Sequence, residues 1–209
     1  MQIFTSKELY IMNGGNKMYI HKDGFGDMYC ATLTEEAEWA QEVIANALAQ
    51  VDTVTNVTTL KFAIDKLLFH QYPNTRNLLK QKIKSSAPEK QVVLATALWN
   101  IYQDDKSFEL VHHHLLQHRA ECLNAVFLCL IDFKDNEHAK EFLLTCLEGG
   151  DDELFLKANT TIGMWAYTGM PALRENSLLE MLKMKDRDLP TFKLAIKQLK
   201  VIFQIRNKT

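Results

Sequence analysis

The sequence predicts a mainly α-helical protein of stacked antiparallel helix pairs, with a small β-hairpin or meander at its N-terminus. Three observations carry this expectation. Apolar residues recur at helical spacing from about Thr34 onward, only 4 Pro and 8 Gly interrupt 209 residues, and helix-breaking turns return at near-constant intervals. A 47% hydrophobic content suffices to bury a sizeable core.

The first 33 residues stand apart, because they hold four of the eight glycines and three short runs, Leu9 to Met12, Lys17 to His21 and Met28 to Leu33, that read as strands. Asn13-Gly14-Gly15-Asn16 and Asp23-Gly24-Phe25-Gly26-Asp27 read as the turns between them, since Gly and Asn accept the positive φ that tight hairpins demand. The second of these lacks the Lys-Ser/Thr of a phosphate loop and the closing Glu of a calcium loop, so a hairpin turn is the reading. At Thr32 the pattern changes. Thr32-x-x-Glu35 has capping-box form, and Trp39, Val43 and Ala47 follow at helical spacing, which predicts a helix from about Thr34 to Gln50. Asp52 to Thr59 is rich in Thr and Val and is open to either a linker or a short strand. Three regions result: a β element over 1–33, a first helix and linker over 34–57, and a helical-repeat body over 58–209.

Within that body, apolar helices end at Tyr72-Pro73-Asn74, Gln103-Asp104-Asp105, Phe133-Lys134-Asp135 and Thr168-Gly169-Met170-Pro171. Asn74, Asp104 and Lys134 lie 30 residues apart, and Gly169 lies 35 further on. A more polar helix follows each break: Arg76 to Lys84, Ser107 to Gln117, Glu137 to Leu147, Arg174 to Lys183. The first helices are the apolar ones. Leu94, Ala97, Leu98 and Ile101 form one stripe, and Phe155, Ala158, Ile162 and Trp165 form another. Cys122 to Ile131 is apolar nearly all round except at Asn124, so it is expected to be the most central helix, with Leu128 inside the core. Gly149-Gly150-Asp151-Asp152 reads as a helix stop followed by an Asp N-cap.

This organisation resembles the HEAT and armadillo class of α-solenoid over about Thr58 to Arg206, and the turn acids Asp104, Asp105 and Asp135 resemble the Asp often found between paired HEAT helices. It departs from that class in a short period, in first helices without a Pro kink and in second helices without a recurring Arg. The resemblance implies an extended surface made of helix faces.

Charge is nearly balanced, with 24 Lys plus Arg against 26 Asp plus Glu, so no global field recruits polyanions. Locally, Asn74 to Ala87 carries Arg76, Lys80, Lys82 and Lys84 with no acid, whereas Asp132 to Glu153 carries eight acids against Lys134 and Lys140. Such alternation interrupts any basic track for phosphates and makes a nucleic-acid partner the weaker expectation. The longest apolar run, Ala125 to Ile131, falls far short of the roughly 18 residues a membrane span needs. Met1 to Tyr10 lacks a secretory pattern, and Cys30, Cys122, Cys129 and Cys146 form no C-x-x-C pair, so reduced core thiols in the cytoplasm are expected.

One cluster has metal-ligand chemistry. His114 and His118 are spaced i, i+4, as chelating imidazoles require, and lie beside His112, His113 and Cys122, but no Glu follows to make a zinc-protease motif. The plainer reading is a solvated helix end whose imidazoles the helix dipole favours in charged form. Trp99, Tyr102, Trp165 and Tyr167 could serve as the aromatic cage of a HEAT-like DNA glycosylase, yet at helical spacing within apolar stripes they read as core. No nucleophile sits in a signature context, and neither catalytic residues nor a cofactor is expected.

The leading expectation is therefore a non-enzymatic protein–protein interaction module, an adaptor or an immunity-type inhibitor. Asp132, Asp135, Glu137 and Glu141 are the candidate contact residues for a basic protein partner. The alternatives are a HEAT-like glycosylase and a metal-binding protein using His114 and His118.

Overall fold

A computed structural model describes residues 4–15, 31–54, 56–104, 106–183 and 186–204. Among them are eleven α-helices and two 3₁₀ segments, and no strand. The chain is mainly α, with antiparallel helix pairs, and divides into two compact units, Met1–Ser86 and Ala87–Thr209.

The first unit contains α1 (Ser6–Met12), α2 (Leu33–Thr53), α3 (Val57–Phe69) and α4 (Thr75–Ser85). The run Leu9–Met12, expected as a strand, lies in α1. Thr5 caps that helix in a reciprocal box with Glu8, and the helix packs Tyr10 edge-on against Trp39 at 5.5 Å. A local cap and a tertiary aromatic contact outweigh the β propensity of a four-residue run. The remaining hairpin residues, 16–30, lie outside the described residues. Gly14 and Gly15 do adopt positive φ, 63° and 77°, but in a turn that closes α1. A Cβ on Gly15 would stand 2.8 Å from both the Tyr10 hydroxyl and the His70 ring, so only glycine fits there.

The expected Thr32–Glu35 capping box starts α2, with Glu35 N–H donating to Thr32 Oγ1 at 3.3 Å and Thr32 N–H donating to Glu35 Oε2 at 2.8 Å. α2 reaches Thr53, and Asn56 then caps α3 by accepting from Thr59 N–H at 3.0 Å, so most of the Asp52–Thr59 stretch belongs to two helices. α2 and α3 pack along their length and bury Val43, Ala47, Val51, Leu60, Ile64 and Leu67.

The second unit contains α5 (Pro88–Tyr102), α6 (Lys106–Gln117), α7 (Arg119–Leu130), a 3₁₀ turn (Ile131–Phe133), α8 (Glu137–Glu148), α9 (Asp152–Thr168), a 3₁₀ segment (Pro171–Ser177), α10 (Leu178–Leu182) and α11 (Pro190–Ile202). The breaks fall where the sequence puts them, although Asp105 lies outside the described residues. Gln103 ends α5 in the left-handed region at φ 49°, and Gly169 ends α9 at φ 151°, where a Cβ would meet the Lys134 side chain. α6 and α7 both pack on α5, while α8 packs on α9.

Two expectations about this unit change. The helix covered on all sides is α5, whose residues Val92 to Trp99 are all buried; α7 instead leaves Asn124 and Leu128 exposed along one stripe, with Leu128 at 43%. The surrounding helices reach every face of α5 but not that stripe of α7. Arg174 to Lys183 does not form one helix either. Pro171 opens a tight 3₁₀ stretch that drives Leu173 fully into the core and brings Arg174 Nε–H to the Ala166 carbonyl at 2.6 Å, and only Leu178–Leu182 is α-helical.

The end of α7 is held by its neighbours. Trp99 of α5 donates its indole N–H to the Asp132 carbonyl at 3.1 Å, and Trp165 of α9 donates to the carbonyls of Leu130 and Ile131 at 3.1 and 3.0 Å. Helix C-termini leave such carbonyls without intrahelical partners, so these indoles satisfy groups that would otherwise be orphaned. Lys134 in turn donates to the Thr168 carbonyl at the end of α9 at 3.0 Å.

Candidate functional site

α6 and α8 lie side by side and leave an open groove of about 650 Å³ between them. α6 contributes Phe108, Glu109, His112 and Leu116; α8 contributes His138, Glu141, Phe142, Thr145 and Cys146; Gly149, Asp151 and Leu154 close the far end. On each helix these positions follow the i, i+4, i+8 rule of a single face. Phe108 stacks with two imidazoles, 5.9 Å from His112 and 6.5 Å from His138, both at 15°. Phe142 meets His112 at 5.0 Å. Contacts thus advance in the same order on both helices, and α6 and α8 run parallel. Leu116 stands at the open side with 67% of its surface exposed.

Among the described residues no Lys or Arg lines this groove, whereas Glu109, Glu141 and Asp151 do. Asp151 is matched. Its carboxylate accepts from Arg119 Nη1–H at 2.6 Å and from the backbone N–H groups of Glu153 and Leu154 at the start of α9. The Arg119 hydrogen bond and then the Leu154 N–H hold its pKa down to about 2. Glu141 approaches His138 Nδ1 at 3.9 Å. Burial pushes the Cys146 thiol up to about 12, which leaves it an inert apolar group, and pushes His112 below its ordinary value, toward the neutral form.

The four acids singled out from the sequence do not share one place. Asp132 and Asp135 line a polar recess of about 420 Å³ with Trp99, Gln103, Lys134 and Thr168. Glu137 is exposed at the first residue of α8, and Glu141 faces the groove. What the sequence reading missed is the apolar floor between α6 and α8. Phe108, His112 and Leu116, with His138 and Phe142, carried the signal as a second stripe on helices judged only as the polar partners of their pairs.

A second recess of about 400 Å³ runs along α7 and α9, where Leu128, Leu156 and Met164 are exposed around Asn124, and Lys157 donates to Asn124 Oδ1 at 2.6 Å.

The solvated helix end that was expected is formed only in part. His113 and His118 are exposed, but His114 is 6% exposed, with Nε2 2.8 Å from Gln91 Oε1. α6 stops at Gln117, and His118 stands at the N-cap position of α7 without a side-chain capping bond, so the i, i+4 pair spans a break even though the rings lie 5.8 Å apart. Among the described residues no group of three His, Cys, Asp or Glu side chains could hold a metal ion, which counts against the metal-binding alternative.

Burial, then the neighbouring His113 and His118, hold the His114 pKa below its ordinary 6.5. The unfolded chain therefore takes up the proton first, and His114's contribution to stability is complete above about pH 6.5, falling as the pH drops toward the depressed folded value. The denaturation midpoint of His114→Gln should consequently fall less between pH 7.5 and pH 5 than that of wild type. Equal losses would show that His114 does not set the acid sensitivity.

The aromatic residues do not make a cage. Trp99 and Trp165 are buried and engaged with backbone carbonyls, whereas Tyr167 is 72% exposed beneath the Arg174 guanidinium at 4.9 Å. Cys122, Cys129 and Cys146 are buried. Among the described residues no helix is long and apolar enough to cross a membrane. No protein-family model, curated protein or solved structure matches this chain.

Proposed function

We propose that this chain is a non-enzymatic protein–protein interaction module of the HEAT-like α-solenoid kind, a cytoplasmic adaptor or immunity-type inhibitor that receives a basic protein partner. The observation that carries the reading is the placement of large apolar side chains in solvent-open recesses of a unit whose core is already filled. Leu116 and Leu156 are 67% and 66% exposed on the rims of two such recesses, while the helices bearing them bury Phe108, Val111, Phe155 and Ile162. Exposed apolar positions grouped beside carboxylates mark a contact surface better than scattered ones do. The two tryptophans support it from the other side, because their indoles serve the fold and are not free to grip a base.

Asp132, Asp135, Glu137 and Glu141 supply the field that steers a basic partner. Affinity capture with the full chain from its native lysate tests this. A partner retained by wild type should associate at least about tenfold more slowly with Glu137→Lys plus Glu141→Lys at low salt, with folding stability nearly unchanged. Association insensitive both to the charge reversal and to ionic strength would overturn the assignment of this surface.

A further inference from the structure

Resting on that interaction reading, we propose that the groove between α6 and α8 docks a cationic amphipathic helix of the partner protein. Each wall runs from Phe108 to Leu116 or from His138 to Cys146, eight helical steps and so about 12 Å at 1.5 Å per residue. That length takes two or three apolar anchors of a guest helix at i, i+3 or i+4, and i+7. A guest laid between two parallel helices completes a third-helix packing and covers Phe142 and the Leu116 side chain, now 67% exposed.

Charge selects the guest. Among the described residues the lining holds Glu109 and Glu141, besides an Asp151 already paired with Arg119, and no Lys or Arg, and its half-buried imidazole at His112 is held toward the neutral form, so the groove meets a cationic rim favourably. The same carboxylates disfavour phosphate backbones and anionic lipid surfaces. Among the described residues no sheet edge is present on which an extended peptide could add a strand.

The probe is a synthetic, fluorescein-labelled helical peptide of about 14 residues, four turns, with Leu along one face and Lys on the others, titrated into the full chain and followed by anisotropy. Its counterpart carries Glu in place of every Lys. The Lys peptide should bind one saturable site, at least tenfold more tightly than the Glu peptide. Leu116→Glu should weaken it at least about tenfold, and Glu109→Lys plus Glu141→Lys should weaken it about as much at low salt but less at high salt. Leu156→Glu, on the other recess, should leave it unchanged. All these positions are exposed or half-buried, and an unaltered melting temperature establishes that each variant folds. Equal binding of the two peptides, no binding of either, or indifference to Leu116→Glu would overturn the proposal. Binding lost in Leu156→Glu but kept in Leu116→Glu would overturn the groove assignment while leaving the broader interaction reading to its own capture experiment.

Discussion

Trp165→Ala should destabilise the fold by about 3–5 kcal/mol, the loss expected when a large aromatic is removed from a close-packed core. Trp165 is 0% exposed and meets Phe203 edge-on at 5.8 Å, so the deletion leaves a cavity between α9 and the turn that closes α11. A second loss is specific to this residue. Its indole N–H serves the carbonyls of Leu130 and Ile131, and truncation removes that donor from the end of α7. Trp165→Phe separates the two effects: it keeps most of the packing volume, drops the donor, and should cost about 1–3 kcal/mol. Urea denaturation of the full chain measures both. A Phe variant as stable as wild type would mean that water satisfies these carbonyls as well as the indole does.

Leu130→Ala should cost about 2–5 kcal/mol, whereas Leu128→Ala should stay below about 1 kcal/mol. Both are leucines near the end of α7, but Leu130 is 0% exposed and Leu128 is 43% exposed on the rim of the α7–α9 recess. The pair is a direct test of helix rotation. From sequence alone Leu128 looked like a core residue; the 30-residue register aligns it with Leu98, which is 4% exposed. Similar losses for the two variants would show that the exposed stripe of α7 is covered in solution.

The helices were legible wherever a local signal marked both ends. Thr32, Asn136 and Asp151 stand as N-caps, and Gln103 and Gly169 adopt the positive φ that stops α5 and α9. α1 was misread because its evidence is divided: the four-residue run suggested a strand, and the decisive contact, Tyr10 on Trp39, joins positions far apart in the chain. The acids of the proposed site were visible as a charge cluster. Their separation was not: Asp132 and Asp135 line one recess, Glu141 another and Glu137 neither, because Asp132 lies in a 3₁₀ turn and Glu141 on the following helix.

Periodicity, caps and turn residues are short-range, involving neighbours within about one turn, and they determined the helical class, the pairwise order and most helix limits. Which face of an amphipathic or all-apolar helix is covered depends on what packs against it. Only the tertiary structure could therefore decide that α5 is enclosed and α7 is not, that His114 is buried while His113 is exposed, and that Phe108, His112 and Phe142 assemble into a groove. Each outcome rests on a choice among nearly equivalent apolar surfaces, settled by where other helices find room to bury theirs.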